Sequence, residues 1–349
     1  MKKAFVLAAV HFSLAANLVQ AADEALPPLP TPVSNNAVAM VRINGHTLIY
    51  SMMGLGAQKT WNAVTNEANA LNLKFAKWTA VRAVPGLGRL GAVATSARQQ
   101  ILLFGGFVPA QNGMEVIVPD VSIYDPTALR WYRGPDLPTP VRDAVAGVYR
   151  DRFIYLIGGL SDRGPTNQVQ MYDAEAQRWL VATAFPGPAV FGHAGAVVGD
   201  TIVYADGARK NPVEKSVPYI PSDDCWLGKI DHRDPKKIEW TRISPHPGTG
   251  RYRVAAGGSD RDAKVYFAGG SATIYDYNGI GVDGKPAEPS PEVFAWNLKN
   301  RQWELMGEDP SPTMDHRGLM VTSEGLVSVG GMGKGQAIVG VVTVLPKRK

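Results

Sequence analysis

The 349-residue chain has one cysteine, Cys225. A single thiol closes no internal disulfide, so stability has to come from packing. No long apolar run is present either. The longest candidate, Ala4 to Leu18, is interrupted by His11, Ser13 and Asn17 and falls short of the roughly 20 apolar residues of a membrane span. With Met1-Lys2-Lys3 before it and Val19-Gln20-Ala21 after it, this run reads as a secretory signal cut after Ala21. No cysteine follows it to take a lipid. The expectation is an exported protein, periplasmic or secreted, without stable membrane insertion.

A charge excess is also missing. The formal balance is +5, but Lys2, Lys3, Lys347, Arg348 and Lys349 lie in the leader and the terminal tail. The remaining body has 31 basic and 31 acidic residues, which gives no footprint for nucleic acid. Catalytic and metal signatures are lacking too. There is no GxSxG elbow, and His46, His193, His232, His246 and His316 show no paired ligand spacing. Gly86–Gly91 spells GxGxxG, but no helix follows to receive a phosphate. Asp276–Gly281 opens like a calcium loop, yet Ile280 stands at the fifth position. No metal, no cofactor and no nameable catalytic residue is expected.

What the sequence does have is repetition. Arg152–Trp179 forms one unit: a β-rich run ending at Gly158-Gly159, a polar turn, Val169-Gln170-Met171-Tyr172-Asp173, then Trp179. Comparable glycines lie at Gly56, Gly106, Gly159, Gly207, Gly270 and Gly331, and tryptophans at Trp78, Trp131, Trp179, Trp240 and Trp303. From each Trp to the next of these glycines the interval is 28, 28, 28, 30 and 28 residues. Seven residues before Trp stands Leu71, Tyr124, Tyr172 or Trp296; the fourth repeat lengthens that turn, from Ile230-Asp231 to Trp240. A period near 50 built from β elements points to a propeller.

On Phe104-Gly105-Gly106 … Tyr124-Asp125 … Trp131 and Gly158-Gly159 … Tyr172-Asp173 … Trp179, the chain resembles the kelch-repeat family. Gly54-Leu55-Gly56 and Asp206-Gly207 depart from its Gly-Gly pair. The resemblance covers roughly residues 34–345 and implies an all-β, six-bladed propeller of four-stranded antiparallel blades forming a single domain over residues 22–349. The N-terminal Leu26–Thr31 stretch is expected to close the sixth blade.

Function in repeat proteins sits where the repeats differ. Insertions at 208–224 and 271–291 lengthen repeats four and five, on the face that also carries the inter-blade connections. Tyr219, Trp226, Tyr275 and Tyr277, in or beside them, offer aromatic contact area. Arg89, Arg142 and Arg251 each stand eleven residues after a Trp, a shared register expected to aim them at the channel mouth. Asp143, His193, Asp206, Asp315, His316 and Arg317 complete the candidate ligand-binding set. Guanidinium groups there would suit a carboxylate, or else act as struts between blades.

Two functions follow. The first is a monomeric exported binding module that holds a protein or glycan partner on the inserted-loop face. The second is a sugar mutarotase or epimerase for an acidic, sialic-acid-type sugar, by similarity in outline to the N-acetylneuraminate mutarotase family. There Arg89, Arg142, Arg251 and His193 or His316 would orient the substrate, with Asp206, Glu214 or Asp315 as base.

Overall fold

The computed structural model describes residues 25–213 and 217–347; the proposed leader and Glu214 lie outside them. The β-rich runs pair with their sequence neighbours, because short turns between alternating strands favour antiparallel hairpins. Five four-stranded sheets result. Blade 1 comprises Ala37–Ile43, His46–Leu55, Val64–Asn72 and Lys77–Val81. Blade 2 comprises Val93–Ala97, Gln100–Phe104, Val121–Asp125 and Arg130–Arg133. Blade 3 comprises Val145–Tyr149, Phe153–Ile157, Val169–Asp173 and Arg178–Ala182. Blade 4 comprises Ala194–Val198, Thr201–Ala205, Cys225–Ile230 and Ile238–Ile243. Blade 5 comprises Ala255–Ser259, Lys264–Ala268, Glu292–Asn297 and Gln302–Glu308. A sixth, three-stranded sheet holds Met320–Val321, Leu326–Val329 and Val342–Leu345. Residues of the first strand of every sheet line one central cavity, so the sheets stand around a common axis as in a propeller. Among the described residues no helix is long and apolar enough to cross a membrane.

The seven-residue spacing before Trp has a simple cause. Tyr124 faces Trp131, Tyr172 faces Trp179 and Trp296 faces Trp303 across the hairpin of the third and fourth strands. Their rings meet at 5.0, 5.0 and 5.2 Å, distances suited to aromatic pairs. The intervening turn is opened by a carboxylate: Asp125 accepts from the Thr127 and Ala128 amides, and Asp231 does the same for Arg233 and Asp234 in the longer fourth repeat. That longer turn shifts the partner of Trp240 to Gly228.

Two sets of hydrogen bonds join the blades. Each outermost-strand Trp indole donates to a carbonyl of the preceding inter-blade connection: Trp131 to Arg82, Trp179 to Pro135, Trp240 to Thr183 and Trp303 to Ser244. The second glycine of the motif stitches forward: Gly106 N–H to Val141, Gly159 to Val190, Gly207 to Arg251, Gly270 to Thr313 and Gly331 to Val33. These glycines have φ between 75° and 105°, and a Cβ on any of them would press within 3.0 Å on the connection that enters its own blade, so a side chain is excluded on both counts. Gly56 departs, donating instead to Ala63 within its own loop.

The N-terminal segment takes a different part from the expected one. Trp78 donates to the Pro27 carbonyl and the Leu29 amide donates to Gly340. The first bond repeats what Arg82 and Pro135 accept elsewhere, and the second what the Val84 and Leu137 amides donate. Residues 27–33 are therefore an inter-blade connection rather than an outer strand, and Leu29 and Val33 bury against Val327, Val329 and Val342.

Candidate functional site

Each connection enters its innermost strand through one residue in the left-handed region, with φ of 55–69°: Asn35, Gly91, Asp143, Gly192, Arg253 and Asp315. Five of the six are Gly, Asn or Asp, the types that tolerate this conformation. Their backbones hand hydrogen bonds around the axis, Asp143 N–H to Gly91, Gly192 to Asp143, Arg253 to Gly192 and Asn35 to Asp315. The Gly91 amide donates to the Asn35 side chain at 2.6 Å. This ring is the channel mouth.

Side chains from the ring meet in a charged hub. Arg253 holds Asp315 at 3.0 Å and Asp143 at 3.3 Å, and Arg317 reaches Asp143 at 2.6 Å from the sixth sheet. Arg142 bridges Asp143 at 3.4 Å and Glu115 at 2.7 Å. Burial alone would raise the Asp143 carboxyl, but Arg253, Arg317 and Arg142 outweigh it and hold it well below the usual carboxylate range. The Arg253 guanidinium, 1% exposed, is kept charged by Asp143 and Asp315 and packs on the rings of Tyr252 and Tyr275. Tyr275 belongs to the fifth-repeat insertion. With Leu160, Phe191, Ile274, Met314 and Met332 it forms an apolar cover on the mouth. Beyond the hub the channel continues between the innermost strands as a cavity of about 290 Å³.

The candidate residues divide accordingly. Asp143, Asp315 and Arg317 lie in the hub, with Arg142 at its edge. Arg89 and Arg251 do not reach the mouth. Arg89 donates to the carbonyls of Gly105 and Asp120 and to Ser122, and Arg251 donates to the Glu292 backbone and carboxylate. The shared register fails because the connections differ in length by one residue: Arg142 pairs with Leu160 where Leu90 pairs with Phe107 and Tyr252 with Ser271. A one-residue slip turns a side chain to the other face. His193 packs between Gly158 and Gly207 and His316 between Gly269 and Gly331, and burial pushes them down to about 3 and about 4, so both are neutral.

Asp206 is not at the rim. It occupies the first place of the glycine pair, at φ 72°, and meets His246 at 2.8 and 3.0 Å. Tyr275, expected as contact surface, is 2% exposed. Arg253 was not legible from Trp spacing; the run of Asn, Gly and Asp at its left-handed register is the signal that locates it. Among the described residues no three His, Cys, Asp or Glu side chains gather to hold a metal ion. The buried Cys225 thiol is pushed up by desolvation and stays protonated.

Outside the hub, the same face carries raised hairpins. Leu160–Ser161 pairs with Gly164–Pro165, while Val190–Phe191, Ala208–Lys210 and Tyr219–Pro221 form a small sheet. Between them lies a groove of about 900 Å³ bordered by Arg163, Pro165, Pro188, Arg209, Pro218 and Tyr219.

No protein-family model matches the chain. Kelch-like protein terF of Aspergillus terreus is 30% identical over 218 residues, covering 58% of this chain and 46% of that protein. Kelch domain-containing protein 3 of Bos taurus is 26% identical over 214 residues, 56% of this chain and 52% of that one. The chain thus matches about half the length of these relatives. The solved structure of YjhT superposes with a TM-score of 0.73 at 19% identity, covering 92% of this chain and 97% of that one. At that identity the likeness is one of fold.

Proposed function

Since this chain is a kelch-repeat β-propeller, a fold that serves many functions, we propose that it is an exported binding module whose partner docks on the inserted-loop face. One observation carries this reading: the insertion of repeat five covers the channel mouth, while the hairpins of repeats three and four rise around an open groove. Surface loops held by a rigid frame are the usual place for recognition. The acidic-sugar enzyme is less well supported, because Arg253, Arg317 and Arg142 are paired with carboxylates and Arg89 and Arg251 are turned away.

The test is photocrosslinking in the exported fraction. A photoreactive residue replacing Val213, 66% exposed on the loop face, is expected to trap a discrete partner. One replacing Arg98, in the turn after the innermost strand of blade 2, is expected to trap none. Adducts from Arg98 alone, or from neither site, would overturn the reading.

A further inference from the structure

From the groove between the hairpins of repeats three and four, and resting on the loop-face reading, we infer that the partner presents an extended polypeptide segment that alternates carboxylate and apolar side chains. Three features point to this chemistry. Arg163 and Arg209 border the groove, and neither guanidinium has an ion pair or side-chain hydrogen bond among the described residues. Every hub arginine, by contrast, is matched to a carboxylate. Two unmatched guanidinium groups on one concave surface favour carboxylates, which they bind bidentately.

The lining between them mixes apolar walls, Pro165, Pro188, Val217 and Pro218, with Tyr219 turned edge-on to Phe191 at 4.9 Å, and the polar Asp162, Lys210 and Asn211, which leaves cations in excess over the one carboxylate. Such walls accept aliphatic side chains. Asn211 offers no amide to a ligand, because it spends it on the Val217 carbonyl and the Val213 amide. An acidic glycan would satisfy the guanidinium groups but not the proline-lined walls. A peptide with alternating residue types satisfies both, since successive side chains of an extended chain point to opposite sides.

A fluorescein-labelled peptide of alternating Glu and Leu is the probe, with a Lys–Leu peptide and polygalacturonate as comparisons, read by anisotropy at low and high salt. The intact protein is expected to bind the Glu–Leu peptide, more weakly as salt rises. The double variant Arg163→Glu/Arg209→Glu is expected to lose about tenfold or more, while Arg178→Glu on the outer strand of blade 3 is expected to bind like the parent. No binding by the parent, equal binding by the double variant, or preference for polygalacturonate would each overturn the inference. If the Val213 crosslink survives in the double variant, the loop-face reading stands and the groove inference fails. If that crosslink never forms in the parent, the broader reading fails first.

Discussion

Two buried charge arrangements give opposite lessons at the level of single residues. Arg253 faces Asp143 and Asp315, so its removal leaves Asp143 to Arg317 and Arg142 and takes from buried Asp315 its shortest ion pair. Arg253→Met is expected to destabilise by about 3–5 kcal/mol, the usual cost of breaking a buried pair, measured by chemical denaturation. A change under about 1 kcal/mol, typical of exposed pairs, would show that water reaches the hub. The Asp206–His246 pair is titratable. Both ring nitrogens of His246 face acceptors, Asp206 and the Pro247 carbonyl, while Arg251 and burial oppose the charge; the balance raises its pKa. Stability from this imidazolium is therefore fully present below about 6.5, the unfolded value, as long as Asp206, itself raised by burial, stays ionised, and is lost as pH rises through the higher folded value. The melting temperature is expected to fall as pH rises through that window. Asp206→Gly/His246→Leu, which restores the residue types found in other repeats, is expected to flatten the profile; an unchanged slope would clear the pair of responsibility.

Within elements, stability concentrates where backbone meets backbone. A Cβ on Gly159 would sit 2.9 Å from the Arg142 carbonyl and at φ 104°. Gly159→Ala is expected to cost about 1–3 kcal/mol from strain alone, with the clash added, and to lower the melting temperature. The N-terminal connection makes a comparable contribution. Deleting residues 25–33 removes buried Leu29 and Val33, each giving about 1.5–3 kcal/mol through burial, together with the acceptor of Trp78. A melting temperature equal to the parent's would show that this segment seals nothing. At this scale the sequence was readable: Tyr–Trp spacing and the glycine pairs are properties of one hairpin and one seam. The inference that Leu26–Thr31 forms a strand failed because apolar content does not reveal register. Only the Trp78–Pro27 and Leu29–Gly340 bonds do.

For the molecule as a whole, the architecture was legible and the hub was only half so. Asp143, Asp315 and Arg317 could be picked from their place after Trp, but their meeting depends on ring closure, which brings residue 143 against residue 317. Arg89 and Arg251 were misplaced by connections one residue longer than the one before Arg142. The groove was foreseeable only as a loop-length difference, because its arginines belong to no repeated position.

Stitches between neighbouring blades make the protein resemble an arch bent into a circle, in which failure of one joint loosens the two beside it. The Asp143–Arg317 contact runs from the third sheet to the sixth, halfway around. It acts as a spoke rather than a rim joint. Parting any one seam must then also stretch a bond across the axle, so the blades are expected to come undone together instead of peeling off in order.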